Sequence, residues 1–290
     1  MKEIGSKEFA FLAHEFKPRV RSAQSLQAIQ STIEALGLPQ EERYVSLLRE
    51  GESMDALHEL DSWLILCLTP SVESIALNFC PGARSTQSRG RLSAFVRRQP
   101  HAALIPLVYA GRGIPYGRVH QFARLHSLKI RMQGPHINDI SPILRLESLR
   151  EMVITDYCHE EDSQTDPPCP WDCPLKGSNV QKLKLYNFES HYETLERLLG
   201  SFQALESFSW TTPRTYHEGL PYEWSNIKTL LQTLHPRLEA LKIKENRDWM
   251  VMGLSKLGSL REFTSLRYLY LPLEIMLGTR AATLFPMVNY

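Results

Sequence analysis

Cys158, His159, Cys169 and Cys173 bring three thiols and an imidazole into one short segment, and these are the ligand types of a tetrahedral zinc site. Their spacing matches no zinc knuckle, and Pro167, Pro168, Pro170 and Pro174 stiffen the segment. The competing expectation buries Cys158 and leaves the others in a surface loop, so zinc binding through the Cys158–Cys173 loop stands as an alternative and no metal or cofactor is assigned. Gly111-x-Gly113-x-x-x-Gly117 misses the dinucleotide fingerprint by one residue and contains Pro115. With no strand evident before it and no helix after it, it reads as a turn rather than a phosphate cradle. The chain has no His-Glu-x-x-His, Gly-x-Ser-x-Gly, P-loop or Cys-x-x-Cys pattern, and the expectation is a protein that is not an enzyme.

Charge is the second chemical signal. The formal net charge is +1, which argues against a globally basic nucleic-acid binder. From Ser74 to Asn138, however, there is no Asp or Glu, and Arg84, Arg97, Arg112, Arg124, Lys129 and Arg131 are among the basic residues there. From Asp139 to Pro174 the balance reverses, with Asp139, Glu151, Asp156 and Asp172 among the acids and only Arg145 and Arg150 against them. Neighbouring blocks of opposite sign are expected to face one another across adjacent layers. The alternative is a nucleic-acid-binding protein acting through the acid-free, Arg-rich stretch 84–131, with Arg84 to Arg98 as an arm. No stacking-aromatic motif stands beside those arginines, so nucleic acid is the weaker partner.

What positions these residues is a repeat. Val72-Ile75-Leu77, Leu125-Leu128-Ile130, Leu149-Met152-Ile154, Val180-Leu183-Leu185, Leu205-Phe208-Trp210, Leu238-Leu241-Ile243 and Leu266-Leu269-Leu271 share one spacing, L-x-x-L-x-L. This is the core of a leucine-rich repeat. One unit cannot bury its own apolar edge, so the units must stack. The spacing predicts an α/β leucine-rich-repeat solenoid, with a curved parallel sheet on the concave face and helices and loops on the convex face. The 53-residue step from Val72 to Leu125 holds a degenerate repeat or an insertion.

Strand side chains alternate, so the residues between the inward leucines line the concave face. They are Ser74, Ala76, Asn78; Ser127, Lys129, Arg131; Glu151, Val153, Thr155; Lys182, Lys184, Tyr186; Ser207, Ser209, Thr211; Ala240, Lys242, Lys244; and Tyr268, Tyr270, Pro272. Basic residues dominate these rows, and Tyr186, Tyr268 and Tyr270 add contact area of a kind favoured at interfaces. The candidate protein-binding residues are therefore Lys129, Arg131, Lys182, Lys184, Tyr186, Lys242, Lys244, Tyr268 and Tyr270; packing of Tyr268 and Tyr270 against a terminal loop is the competing expectation.

Residues 1–70 read as a helical N-terminal cap continuous with a solenoid over 71–290, the two forming a single domain. Leu26, Ile29, Ile33 and Leu36 mark one helix stopped by Gly37; Tyr44, Leu47 and Leu48 mark a second; Leu57, Leu60, Leu64 and Cys67 mark a third closed by Pro70. Helices are also expected over 91–98, 102–110, 194–199 and 225–234, the last with Ser225 as N-cap. Trp63, Trp210 and Trp249 are assigned to core or cap. No apolar run approaches a membrane span. Five cysteines and no signal-peptide layout point to a reducing compartment, cytoplasmic or nuclear.

Ala35-Leu-Gly-Leu-Pro-Gln-Glu-Glu-Arg-Tyr44, Leu47-Leu-Arg-Glu-Gly51, Pro70-Ser-Val-Glu-Ser-Ile-Ala-Leu77 and the late segment Phe263 to Gly278 resemble the leucine-rich-repeat region of filamentous-fungal F-box-type proteins. The resemblance runs from about Phe16 to Gly278. It implies an adaptor whose repeats select a protein client, acidic or phosphorylated on the charge pattern above, for an SCF-type ubiquitin ligase. Leu38-Pro-Gln-Glu41 is followed by Glu42 where an F-box wants an apolar residue. Client recognition therefore carries over, docking to a ligase-core subunit does not, and a shortened family member is expected.

Overall fold

The structure is a computed structural model that describes residues 9–10, 23–38, 62–79, 102–132, 135–158, 170–212, 223–244 and 256–277. It divides into two compact units, residues 1–149 with 162–173, and residues 150–161 with 174–290. Each is an α/β unit whose strands all run parallel.

In the first unit β1 (Phe9–Ala10), β2 (Ser74–Asn78) and β3 (Ser127–Arg131) lie side by side. β2 pairs directly with β3, Ile75 against Leu128 and Leu77 against Ile130. The long step between them is therefore an insertion, with no strand among its described residues. β1 was not foreseen beside the expected N-terminal helices, because two residues are too few to show alternation. α1 (Ala23–Leu36) ends at Gly37, whose φ of 57° turns the chain. Residues 62–68 form α2, and Ile105–Gly111 form α3 after a 3-10 turn at Ala102–Leu104. Ile33, Trp63, Cys67, Ile105, Tyr116 and Val119 meet in one core, where Trp63 Nε1 donates to the Tyr116 hydroxyl at 3.2 Å.

The glycines of the expected turn serve packing here. A Cβ on Gly111 would lie 2.1 Å from the Pro142 carbonyl oxygen, and one on Gly117 would lie 2.4 Å from that of Leu36. The opposed charge blocks meet at Asp172. Arg112 Nε reaches its Oδ2 at 2.6 Å and Arg145 Nη1 its Oδ1 at 3.2 Å, while its amide donates to Ser141 Oγ. Nearby, Ile137–Ile140 (α4) opens on a capping box made by His136 and Asp139.

In the second unit β4 (Glu151–Cys158), β5 (Lys182–Glu189), β6 (Ser207–Thr211), β7 (Ala240–Lys244) and β8 (Tyr268–Tyr270) pair in sequence order. One hydrogen-bond device recurs from layer to layer. The carbonyl of Arg150, Gln181, Glu206 or Glu239 accepts two successive amides of the next layer, ending with Arg267 and Tyr268 on Glu239. α5 (Tyr192–Gly200) buries Leu195, Leu198 and Leu199, and α6 (Trp224–Leu234) buries Trp224, Ile227, Leu230 and Leu231. α6 starts one residue before the expected position. Glu223, not Ser225, is its N-cap, and it makes no side-chain cap bond. A short α7 (Leu273–Leu277) follows β8.

The inward apolar residues form the core of each unit. Ile75, Leu77, Leu128 and Ile130 in the first, and Met152, Ile154, Leu183, Leu185, Phe208, Trp210, Leu241 and Ile243 in the second, are at most 3% exposed. Trp63 and Trp210 lie in the core as expected, Trp224 joins Trp210 there with ring centroids 5.6 Å apart, and Trp249 is outside the described residues. The expectation fails at the last layer. Leu269 is in register with Leu241 yet 43% exposed, because no described strand follows β8.

Also outside the described residues are the expected helices around Tyr44–Leu48 and 91–98, with Leu57, Leu60 and the Arg84–Arg98 arm. Among the described residues no helix is long and apolar enough to cross a membrane.

Candidate outward face of the strands

Strand alternation fixes which side chains share the outward face, and the register fixes their neighbours. In the second unit one row runs Glu151, Lys182, Ser207, Ala240, Tyr268. The next runs Val153, Lys184, Ser209, Lys242, Tyr270, and the third Thr155, Tyr186, Thr211, Lys244. Neighbouring strands lie about 4.8 Å apart, so each row is a line of side chains in mutual reach. Lys182, Tyr186, Lys244, Tyr268 and Tyr270 are exposed, while Lys184 and Lys242 are half-buried at their stems. Seven of the nine candidate residues thus share one face. Lys129 and Arg131 stand in the first unit, beside Ala76 and Asn78 of β2.

The lysines do not all point alike. Lys184 leans toward β4, where its Nζ lies 2.6 Å from Glu151 Oε1. Lys242 and Lys244 lean toward β8, their Nζ atoms 5.8 Å and 5.9 Å from the centroid of the Tyr270 ring, within cation–π range. Between these outward-leaning walls lies β6, which contributes only Ser207, Ser209 and Thr211. Among the described residues these three hydroxyls have no side-chain hydrogen bond. β6 thus presents small hydroxyl side chains between lysines that lean away from it on either side. Four lysines against one glutamate make the rows of β4 to β8 positive.

One feature of this face escaped the sequence reading. Asp156 and Asn187 both adopt positive φ, 55° and 50°, and Asn187 Nδ2 donates to Asp156 Oδ1 at 3.0 Å. Asp and Asn tolerate this conformation better than other side chains, and the turn lets β4 and β5 resume pairing at Tyr157 and Phe188, whose rings stack at 5.0 Å. The signal was present: each stands two residues after the second inward apolar residue of its strand, Ile154 or Leu185.

The other chemistry weighed from sequence is placed differently. Cys173 is buried and not disulfide-bonded; His159, Cys169 and the Cys158 side chain are outside the described residues. Among the described residues no three His, Cys, Asp or Glu side chains gather as a metal site. Cys67 is buried beside Trp63 and Ile33, and desolvation pushes its thiol up to about 12, which makes it a packing residue rather than a nucleophile. His235 is buried at the end of α6, where its Nε2–H donates to the Leu199 carbonyl. Burial lowers its pKa, opposed by that hydrogen bond and assisted by the Lys176 charge. His120 is lowered by burial as well.

No protein-family model matches the chain, no curated protein matches it, and no solved structure matches it.

Proposed function

We propose that the chain is a leucine-rich-repeat solenoid with an N-terminal cap, and that it works as a non-enzymatic recognition module holding a protein client on its concave face. The observation that carries this reading is the row Lys184, Ser209, Lys242, Tyr270, set in register on four parallel strands, with Tyr270 exposed and the other three half-buried. Its groups are ammonium donors, hydroxyls and aromatic edges. These suit an acidic or phosphorylated polypeptide, since hydrogen bonds to ionised partners are the stronger ones. Lys129 and Arg131 on β3 offer the same chemistry in the first unit. The likeness to adaptor repeats adds a role, client selection for a ubiquitin ligase in a cytoplasmic or nuclear setting.

The test is affinity purification of the tagged chain and of a Lys242→Glu/Lys244→Glu variant, with mass spectrometry of the proteins retained. The expected result is a client set captured by the wild type and lost by the folded variant. Identical capture by both would remove this face from the reading. Ligase-core subunits among the retained proteins would support the adaptor role, and their absence would leave a free-standing scaffold.

A further inference from the structure

β8 is where the repeating pattern is left unfinished. Leu269 occupies the inward position that Leu241 fills one layer earlier, and Leu241 is 1% exposed where Leu269 is 43% exposed. On the same strand Tyr268 and Tyr270, and on the α7 that follows Leu273 and Met276, are 51%, 47%, 59% and 50% exposed. Half-exposed side chains of this size present about 100 Å² each, so the five offer on the order of 500 Å² of largely apolar surface. This is more than half of the roughly 800 Å² per partner in a standard interface.

The backbone of this edge is also aimed outward. Tyr268 donates its amide to the Glu239 carbonyl, so its polar groups face β7. In a parallel ladder successive residues turn their amide and carbonyl to opposite sides. Those of Leu269 therefore point away from β7, to the side on which no described strand lies.

We infer that this edge pairs with the same edge of a second copy of the chain, β8 against β8 antiparallel about a two-fold axis through Leu269. The segment Tyr268-Leu269-Tyr270 reads the same in both directions, so such an axis sets leucine against leucine and tyrosine against tyrosine, cross-strand pairs that favour a ladder. Leu269 faces Leu269 of the second copy and exchanges two backbone hydrogen bonds with it, while each Tyr268 stands opposite the Tyr270 of the other copy on the outward face. Pro272, which lacks an amide hydrogen, limits the ladder to a few residues. An isologous contact of this kind closes at two copies and does not propagate into a fibre. Charge agrees with the pairing: Lys242 and Lys244 lean over Tyr270 from β7, so two tyrosines separate the lysines of one copy from those of the other.

The experiment uses the full chain. Sedimentation equilibrium over a micromolar concentration series is expected to show a monomer–dimer equilibrium, weakened about tenfold or more by Leu269→Lys. Leu269 is half exposed, so the folded chain tolerates this change; circular dichroism of the variant checks that it does. In the proposed pair the two Leu269 Cα atoms lie about 5.5 Å apart, within disulfide range. Under mild oxidation Leu269→Cys is therefore expected to give a covalent dimer faster than Leu175→Cys, placed at a residue that is 72% exposed elsewhere. A chain that stays monomeric throughout, a dimer unaffected by Leu269→Lys, or equal cross-linking of the two cysteine variants would each overturn the inference.

Discussion

Glu151→Gln should strengthen client binding, although it removes an ion pair. Glu151 is the one acid in the outward rows of β4 to β8, and it holds Lys184 Nζ at 2.6 Å. An acidic segment lying over β6 sits two strands, about 10 Å, from Glu151. A unit charge there feels about 0.4 kcal/mol of repulsion in a water-like medium. Freed from Glu151, Lys184 can swing to within about 5 Å of the segment and contribute about 0.4 kcal/mol more. Together these amount to roughly a fourfold gain in affinity at very low salt, reduced to about twofold near 150 mM by an ~8 Å Debye length. Both partners are about a third exposed, so losing the pair costs the fold at most about 1 kcal/mol. Fluorescence anisotropy with a labelled Glu-rich probe peptide, read at low and physiological salt, measures the change. An affinity that is unchanged or lower at low salt, in a variant with wild-type thermal stability, would refute the electrostatic reading of the face.

Three further outcomes follow from the packing. Gly111→Ala drives a Cβ to within 2.1 Å of the Pro142 carbonyl oxygen, and the overpacking should cost about 2–3 kcal/mol in a urea titration; Gly113→Ala, open but at a φ of 68°, should cost only about 1 kcal/mol. Leu241→Ala in the buried layer should cost about 2–5 kcal/mol, whereas Leu269→Ala one layer on should cost about 1 kcal/mol or less in the monomer. Equal losses at the two leucines would contradict the exposure difference between them. His235 is held neutral by burial, so the unfolded chain binds a proton near pH 6.5 while the folded chain does so only at lower pH. Stability is then complete above about pH 6.5 and falls as acid takes the pH down toward the folded value. His235→Gln should flatten this slope in urea midpoints measured across that range, with His120 supplying a residual slope of the same sign.

The strands were legible because their signal is periodic and redundant. Each L-x-x-L-x-L segment predicted both a strand and its register, and the pairing of Ile75 with Leu128 and of Leu183 with Phe208 follows that spacing without a slip. A one-residue slip would turn leucines to solvent and lysines inward, so the cost of error was high at every layer. The helix starts were less legible. Ser225 has the chemistry of an N-cap, but Trp224 is buried against Trp210, and packing the indole into the core moved the boundary by a residue. Gly111 and Gly117 were legible as turn residues but not as packing residues, because glycine spacing alone does not show where a neighbouring backbone will approach. In the folded chain the approaching atoms are the carbonyls of Pro142 and Leu36.

The outward face was legible as a list but not as a shape. Alternation named Lys184, Lys242 and Lys244 without saying which way each would lean, since that depends on partners in other layers. Glu151 draws one lysine back and the Tyr270 ring draws two forward, while β6 between them carries only the short side chains Ser207, Ser209 and Thr211 on this face. The same limit explains the failure at Leu269. A repeat pattern tells each residue which side is inward, but burial requires a next layer, and a periodic sequence reads the same whether that layer belongs to its own chain or to another. At β8 the pattern continues and the described layers stop, so an inward leucine becomes a surface one, and its backbone, aimed outward by the ladder, is the part of this unit best prepared for a neighbour.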